Sequence, residues 1–580
     1  MPATAPNVAT FQIKIDGSPL PVAVMDNLFY VEVDSSLHMP AAARVEFHDA
    51  ELTHVDNASL FKIGADLVIS AAGNPELGQA QMEQIFSGVI AAIEPVFTAE
   101  EHYSRLVIRA YDRLYLLHRG TQSKSFQNQK DSDIVRAVVN ESGSGLSAQV
   151  TDTSIVHPHV YRDDCSDYEF IKMLAQRNGF VIVCEGGVLK VKKPSELGRG
   201  EVELEFGVGL REFRPALTLV GQVNEVKVEG WDRTNKVKVT GRSASATFSE
   251  TQTSLQRGYA LMNAAHGSKT LHFSKATPTQ AEADALAAAA LNTVAASDLL
   301  AEGVAYGNPR LKAGTKLKVK KVGSRFSGTY FVTRVRHVLD NDSAFDTEFW
   351  VGGMSSGTLA SLVSPATPAA PVPARPLLGL YPALVTNNKD PNSQGRVRVK
   401  FPQITDTDES FWAPVVSVGA GNQRGLWVLP EVNDEVLVGF LHGDINFPVV
   451  LGGMWNGQDA PPDTTPTGST VDVRTFKTRS GHILRFTDKS GEEKIELIDK
   501  TGNNKVVIDS KQNSISILAA KNISIESKGG DVSLKGVNVK FEGTAAVEAE
   551  GKTKIALKGG MAELSATGQT KVSGATVMIN

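Results

Sequence analysis

At 580 residues the chain is too long for one hydrophobic core, and its length predicts about three or four domains. Hydrophobic residues make up 41% and charged residues 21%, which excludes the disordered class and the helical membrane class. A formal net charge of -5 excludes the concentrated basic charge that nucleic-acid binders usually carry. We therefore expect a folded multidomain protein with no nucleic-acid partner.

The chain shows neither a targeting signal nor a disulfide pattern. Met1 to Asn7 lack the basic and apolar segments of a secretion signal, and no run of about 18 apolar residues occurs. We expect synthesis and assembly in the cytoplasm, without a membrane-spanning helix. Cys165 and Cys184 are the only cysteines, too few for a disulfide framework.

Residues 1–363 form the first predicted region, in which short alternating runs dominate. In Phe11–Ile15 and Leu106–Ala110 every second side chain can face a core, so strands are expected. Three helical patterns interrupt them, namely Asp133–Val139, Asp167–Arg177 and the alanine-rich stretch Thr279–Leu300. The first two each begin on an aspartate that can cap the helix, and Asn178-Gly179 follows the second as a stop signal. The region is predicted as α+β.

A stiff linker and a small barrel are predicted next. Residues 364–376 hold five prolines in thirteen residues, which favours extended polyproline geometry. In residues 377–456 the runs Gly395–Phe401, Glu435–Leu441 and Pro448–Leu451 predict strands. A closed barrel of roughly 80 residues suits them because closure removes exposed strand edges. Residues 457–472 are predicted as a second, flexible linker.

Residues 473–580 are built from repeats. Strands such as Lys494–Ile498 and Lys505–Asp509 come first, and then glycines recur seven to nine residues apart, at Gly536, Gly543, Gly551, Gly559 and Gly568. Between those glycines lie runs such as Asp531–Lys535, Val537–Phe541 and Lys554–Lys558. Self-similarity at a fixed short period indicates a solenoid or β-helix.

This repeat favours three chains over one. The apolar positions that we expect to face one way are Val532, Leu534, Val537, Val539, Ile555 and Leu557. One chain would leave them as a narrow ribbon, whereas three intertwined chains supply the missing walls. About twelve strands per chain, spaced roughly 4.8 Å apart, would give a triple-stranded β-helix on the order of 60 Å long. A single-chain β-helix and aggregation-prone low-complexity sequence are the alternative interpretations.

Several segments resemble VgrG proteins, which fuse the hub and spike of a contractile phage baseplate. Hub-like segments are Tyr111–Leu114, Cys165–Gly179 and Gly328–Thr333 followed by His337. Segments similar to the family's OB-fold signature are Gly395–Pro402, Trp412, Pro430–Asp444, Pro448 and Gly452. Ser480–Phe486 and Gly491–Leu497 resemble the start of the family's needle.

The resemblance implies a structural central spike: a homotrimer whose hub has pseudo-sixfold symmetry and contacts inner tube and baseplate proteins. It also implies a PAAR-type tip protein docked on Val577, Met578, Ile579 and Asn580, no cofactor, and puncture of the target envelope when a sheath contracts. The organisation looks more like the spike of an extracellular contractile injection particle than a toxin-carrying type VI secretion spike. The finished particle would be extracellular or membrane-associated.

The chain has no segment long enough for the enzyme domain that the enzymatic alternatives require. Only eighteen residues separate Trp455 from Arg474, where some phage spikes carry a lysozyme, and a muramidase core needs well over ~50. No further sequence follows Asn580, so we expect no enzyme. A cell-wall hydrolase spike and a receptor-binding fibre are the alternative functions.

The remaining candidate sites are weak. His157 and His159 near Cys165 match no standard zinc spacing. Gly551–Thr553 ends like a phosphate loop, but Ala546 stands where that loop needs glycine. The barrel carboxylates Glu431, Asp434, Glu435 and Asp444 could serve acid-base chemistry but are interpreted as solvated loop residues. Its cationic side chains Arg396, Arg398 and Lys400 are expected to contact neighbouring subunits.

Overall fold

The computed structural model of the chain describes residues 10–74, 77–99, 104–247, 251–252, 257, 261, 267–340, 344–353, 377–405, 407–464, 466 and 468–579. Strands dominate these residues, which confirms the predicted mainly β class. The chain divides into two compact units, Met1–Gln458 and Asp459–Asn580. Among the helices that the structure describes, none combines the length and apolarity needed to cross a membrane. The proline-rich stretch 364–376 lies outside the described residues, and the domain boundaries stay predictions.

The chain opens with a β module in which alternate side chains are buried. Val31 and Val33 of one strand and Val45 and Phe47 of the next face a shared core, as the alternating sequence predicts. Its elements are β1 Thr10–Ile15, β2 Ser18–Pro19, α1 Val22–Met25, β3 Leu28–Ser36, β4 Ala42–His48, β5 Asp66–Ala72, β6 Glu83–Val96 and β7 Arg105–Tyr111.

Two helices and two small sheets follow. Ile134 and Leu174, one from each helix, are fully buried in their common core. The elements are β8 Gln122–Lys130, α2 Asp131–Glu141, β9 Ser147–Val150, β10 Val156–Cys165, α3 Asp167–Arg177, β11 Val181–Glu185 and β12 Val188–Lys192, with 3-10 turns at Arg113–His118 and Pro194–Glu196. Strand β10 pairs antiparallel with β8, and β12 lies between β9 and β11.

A second β module shares one continuous sheet with the first, because β21 pairs with β3. The order across that sheet is β14-β19-β22-β21-β3-β4-β7-β6-β5-β1-β2, with β13, β17 and β20 attached at its side. The module's elements are β13 Glu201–Glu205, β14 Leu210–Leu217, β15 Glu225–Asp232, β16 Val237–Ser243, β17 Thr251–Gln252, β18 Thr270–Ser274, α4 Gln280–Ala295, β19 Leu299–Tyr306, β20 Lys316–Lys320, α5 Gly323–Phe326, β21 Gly328–Asp340 and β22 Ala344–Val351. Helix α4 covers the separate sheet of β15, β16 and β18.

Helix starts differ from the sequence prediction. Ser166, not an aspartate, caps α3: its hydroxyl accepts from Glu169 N at 3.2 Å, and Glu169 Oε2 accepts from Ser166 N at 2.9 Å. Helix α2 begins two residues earlier than predicted and has no side-chain cap at Lys130. The predicted stop after α3 is confirmed, since Gly179 adopts a φ of 66°.

The alanine-rich helix is shorter than predicted. Helix α4 ends at Ala295, and the residues up to Leu300 do not extend it, because Leu299 already starts β19. Leu299 is buried in the core of the second β module. Tertiary packing therefore overrides local helix propensity at this end.

The predicted barrel is present. Val397 and Val399 are fully buried, while Arg396, Arg398 and Lys400, which alternate with them, are not, so the alternating run forms a strand as predicted. Its strands are β23 Tyr381–Asn387, β24 Arg396–Lys400, β25 Ala413–Pro414, β26 Glu435–Phe440 and β27 Pro448–Gly453, in the order β25-β24-β23-β26-β27, with a 3-10 turn at Leu441–Gly443. A bridge between Val415 and Val450 joins the two ends of this order, which closes the sheet.

The second unit begins with an antiparallel meander of five strands. They are β28 Val473–Lys477, β29 Ile483–Thr487, β30 Lys494–Ile498, β31 Lys505–Asp509 and β32 Ser514–Leu518. Gly481, Gly491 and Gly502 turn the chain with φ between 73° and 99°, a region that favours glycine. Residues 519–579 are fully described and form no strand or helix of their own.

Candidate functional site

The meander exposes its apolar face. In the register of the strands Leu484 lies opposite both Phe476 and Leu497, and Ile495 lies opposite both Phe486 and Ile508. The large apolar side chains on this face are between 38% and 70% exposed: Phe476, Leu484, Phe486, Ile495, Leu497, Ile508, Ile515 and Ile517. Such a face is normally covered in a folded protein, whereas here its large apolar side chains stay exposed in the single chain.

Residues 520–579 continue as an extended chain with regular bends. The bends fall at 520–521, 528–530, 537–538, 544–545, 552–553, 560, 567–568 and 575–576, which are steps of seven to nine residues. Among residues 519–579 no backbone-to-backbone hydrogen bond forms within the chain. Ala520 N donates to Asn504 Oδ1 at 3.0 Å and Gly530 N donates to Ser527 Oγ at 3.2 Å. An extended tail of this kind leaves most of its backbone polar groups to water or to another chain.

Two glycines of the repeat stand where no side chain fits. A Cβ at Gly543 would lie 2.3 Å from the carbonyl oxygen of Ala546, and one at Gly551 would lie 2.7 Å from that of Lys554. Both glycines immediately precede a bend. The backbone approaches itself closely at these two bends, which explains why glycine stands at Gly543 and Gly551.

Every side chain from 520 to 579 is exposed in the single chain. Val537 is completely exposed, and Leu557 is 83% exposed. The other large apolar side chains of this tail include Ile523, Ile525, Val532, Leu534, Val539, Phe541, Val547, Ile555, Met561, Leu564 and Val572. Burying each is worth roughly 1.5–3 kcal/mol, so the tail gains much by being covered.

The residues predicted to hold a tip protein end this tail. Met578 and Ile579 are 82% and 91% exposed, and Val577 is 48% exposed. Asn580 lies outside the described residues. Docking at this end stays a prediction.

The candidate metal ligands His157 and His159 each contact another group of the protein. His157 Nε2 lies 3.4 Å from Asp131 Oδ1, whereas His159 Nε2 donates to the carbonyl oxygen of Glu409 at 3.1 Å. Burial lowers the pKa of both imidazoles, so both are neutral. Cys165 is a free thiol, and within the described ranges no group of three metal-ligating side chains gathers.

The barrel carboxylates do not form an acid-base pair. Asp434 Oδ2 accepts from the backbone N of Glu431 at 2.7 Å, and Glu435 Oε2 accepts from Asn456 Nδ2 at 2.7 Å. Asp444 serves a separate turn, in which it accepts from the backbone N of Asn446. The carboxylates of Asp434, Glu435 and Asp444 thus accept from local donors, as expected of residues in turns and at strand ends.

The cationic face of the barrel is paired within the chain. Arg396 forms a bidentate pair with Asp390, and Arg398 lies 3.3 Å from Glu409 and 5.0 Å from the centre of the Trp412 ring. The expected contact of these arginines with neighbouring subunits stays a prediction. The phosphate-loop candidate Gly551–Thr553 lies on a bend with no helix after it, so it lacks the geometry of that loop.

Sequence reasoning predicted strands at the start of the repeat region, and residues 473–518 form five strands that pair with one another within the chain. It gave no sign that Tyr161 and Asn446 meet, because 285 positions separate them.

Two family models match the chain. Residues 5–341 match the Alg8 N-terminal domain, a span of more than half the chain. Residues 381–455 match the Type VI secretion system/phage-baseplate injector OB domain, and this match coincides with the closed barrel.

Curated relatives match in part. The actin cross-linking toxin VgrG1 of Vibrio cholerae is 24% identical over 72% of this chain and 39% of its own length. The type VI secretion system spike protein VgrG4b of Pseudomonas aeruginosa is 38% identical over 17% of this chain and 14% of its own. The chain thus spans less than half the length of these curated relatives.

Among solved structures, the lidded Francisella PdpA-VgrG complex contains a similar chain. It superposes with a TM-score of 0.51 at 12% identity, covering 88% of this chain and 80% of that one. At this identity the likeness is one of fold.

Proposed function

Because the chain belongs to the Alg8 N-terminal domain family and is of the VgrG spike type, we propose that it is the structural central spike of a contractile injection system. It connects tube and baseplate to the tip, and punctures the target envelope when the sheath contracts. The observation that carries this proposal is the second unit, whose apolar face and extended tail are uncovered in the single chain.

Three identical chains cover that surface best. Their tails, wound about one axis, bring Val532, Leu534 and Val539 of each chain against those of the others and supply the missing backbone partners. The regular bends then turn each chain from one face of a triangular prism to the next. A continuous ladder of interchain hydrogen bonds makes such a prism stiff, as piercing requires.

The other proposed partners contact the N-terminal β modules and the last residues of the tail. Two β modules per chain would give a trimer six similar modules, which suits contact with a hexameric inner tube and baseplate proteins. A PAAR-type tip protein would dock on the exposed Val577, Met578 and Ile579 together with Asn580. The assembled particle would be extracellular, held at a membrane, or part of a phage-like tail.

The proposed action is mechanical, with no bond made or broken. One relative is named an actin cross-linking toxin, but the matched region covers only 39% of that protein. The imidazoles of His157 and His159 and the carboxylates of Asp434, Glu435 and Asp444 are engaged in local structural contacts, and the phosphate-loop candidate lies on a bend with no helix after it. Nothing among the described residues therefore supports a catalytic role.

The mass of the purified full chain in solution tests the proposal. Sedimentation equilibrium should give three times 62.1 kDa, and a monomer or dimer would contradict the prism. Digestion of purified peptidoglycan would favour a hydrolase spike instead. Binding of the purified protein to intact target cells, without puncture by assembled particles, would favour a receptor-binding fibre.

A further inference from the structure

Strand β10 and its neighbour β8 contact the barrel directly. Tyr161 N donates to Asn446 Oδ1 at 2.6 Å, and Ser125 Oγ donates to Asp408 Oδ1 at 2.9 Å. A third contact runs from the His159 ring to the carbonyl oxygen of Glu409. These hydrogen bonds join residues 250 to 285 positions apart, so they are tertiary contacts between segments that are distant in the sequence.

Asn446 is held in the orientation that β10 needs. Its Nδ2 donates to Asp444 Oδ1 at 2.8 Å, and its backbone N donates to the same oxygen at 3.0 Å. With Nδ2 occupied in this way, Oδ1 points to the backbone of Tyr161 as an acceptor. The barrel turn therefore presents a fixed acceptor to the strand.

An apolar contact backs the hydrogen bonds. Tyr161, Leu377 and Ile445 form a buried cluster, and Tyr381 and Phe440 of the barrel pack against it. All three central side chains are at most 9% exposed. A dry contact of this kind excludes water from the neighbouring hydrogen bonds, which strengthens them.

A charged cluster stiffens the N-terminal side of this contact. Arg177 Nε of α3 donates to Asp131 Oδ2 of α2 at 2.6 Å, and His157 of β10 lies 3.4 Å from Asp131 and 3.9 Å from Glu282 of α4. Burial lowers the pKa of Arg177 to about 10, and the charges of Glu282 and of Asp444 in the barrel oppose that shift. Helices α2, α3 and α4 are thus tied together beneath β10.

We propose that these contacts, here termed the joint (β10, Ser125, Asp408, Glu409 and Asn446), hold the barrel on the N-terminal region as one rigid piece and pass the thrust of contraction between them. Thrust presses contacting surfaces together, and close-packed interiors have low compressibility and transmit strain. The inference that the barrel and the N-terminal region form one rigid piece stands by itself. The inference that the joint passes thrust rests on the proposed function. Asn446 is the positioning residue.

Hydrogen exchange of the full-length protein tests the rigid piece. In Asn446→Ala, peptides covering 156–165 and 441–447 should exchange about tenfold faster, since both sides lose the same contact. Peptides from β5 and β31, far along the chain, should not change. Unchanged exchange at β10 would overturn the joint, and faster exchange everywhere would mean general unfolding and would also overturn it.

Three further substitutions sharpen this test. Asn392→Ala removes a barrel amide that makes no contact with the N-terminal region among the described residues, and it should leave β10 unchanged. Ser125→Ala and Asp408→Ala should together raise exchange by less than the product of their separate effects, because they share one hydrogen bond. If the double variant raises exchange by the full product of the two separate effects, the direct contact between Ser125 and Asp408 is contradicted.

Assembled particles separately test the inference that the joint passes thrust. Wild-type particles should puncture envelope vesicles, and Asn446→Ala particles should do so several-fold less often. If wild-type particles also fail to puncture the vesicles, the proposed function is wrong. The hydrogen-exchange result still decides whether the joint holds the barrel rigidly on the N-terminal region. If both puncture equally although the variant exchanges faster, the joint does not carry the thrust.

Discussion

Arg396 holds Asp390 through two parallel hydrogen bonds inside the barrel. Its Nε donates to Asp390 Oδ2 at 3.0 Å and its Nη2 donates to Oδ1 at 2.6 Å. The carboxylate also accepts from the backbone N–H groups of Asn392 and Gln394. Hydrogen bonding to Arg396 holds the pKa of Asp390 well below its usual range, although partial burial opposes this. The pair fixes the turn between β23 and β24.

Replacing Asp390 with alanine should destabilise the barrel by about 3 kcal/mol, because Arg396 would remain buried without its partner. Urea unfolding of the full chain measures this loss. The double variant Asp390→Ala/Arg396→Met should recover part of it, since the unpaired charge is gone. Equal losses in the single and double variants would show that only the turn hydrogen bonds matter.

Acid should lower the free energy of unfolding of the N-terminal region, because His337 becomes protonated. Its Nδ1 lies 3.0 Å from Thr347 Oγ1, and its Nε2 donates to the carbonyl oxygen of Leu311 at 3.1 Å. Burial lowers the pKa of His337 to about 4, below the 6.5 of the unfolded chain. The stability it contributes is complete above pH 6.5 and is lost as the pH falls toward 4.

Thermal unfolding at several pH values measures this effect. Burial also lowers the pKa of His157 and of His159, so the informative quantity is the difference between wild type and His337→Gln. That difference should shrink steadily between pH 6.5 and 4. A difference that does not vary with pH would assign the acid sensitivity to other groups.

Glu185 should govern a second acid transition. Its carboxylate lies 3.1 Å from Lys312 Nζ, 3.0 Å from Lys190 Nζ and 3.2 Å from Arg199 Nη2. Burial by itself would raise the pKa of Glu185, but Arg199, Lys312 and Lys190 together lower it to about 2. Its stabilising effect is complete above pH 4.5 and disappears as the pH falls to 2.

The variant Glu185→Gln should therefore be less stable than wild type at pH 7 and nearly equal to it near pH 2. Denaturant unfolding at both pH values checks this. Glu196→Gln is a suitable control, because its ion pair with Lys193 lies on an exposed surface and should contribute little. A constant deficit in Glu185→Gln at all pH values would mean that packing, not charge, is lost.

A charge on the proposed trimer axis should dissociate the needle. Val539→Asp would place three unpaired carboxylates in a dry interior, which is strongly unfavourable. Asn538→Asp adds the same charge at the neighbouring position and should leave the trimer intact. Sedimentation of both variants decides the matter, and a stable Val539→Asp trimer would show that our assignment of the inward face is wrong.

Strong local patterns allowed much of the fold to be predicted. Alternation placed Val397 and Val399 inside a barrel strand, and Asn178-Gly179 marked the end of α3. Local rules failed where two of them compete at one helix end. Ser166 and Asp167 are both good capping residues, and only the reach of Glu169 back to Ser166 N selects the serine.

The joint lay beyond prediction for a different reason. Asn446 follows Asp444 in what reads as an ordinary turn, and nothing in its local sequence indicates a contact with Tyr161. Only the folded chain brings that turn and β10 together. Contacts of this kind depend on the placement of whole sheets, which short-range periodicity does not encode.

The regular bends of residues 520–579 divide this tail into steps, so its length depends on the number of steps. Each bend follows the last by seven to nine residues, so the tail consists of similar steps of slightly different length. Inserting or deleting one step would lengthen or shorten the tail by the extent of that step and leave the sequence of the other steps unchanged. In the proposed trimer, the length of the needle would therefore change one step at a time, while the sequence of the N-terminal region and the barrel stayed the same.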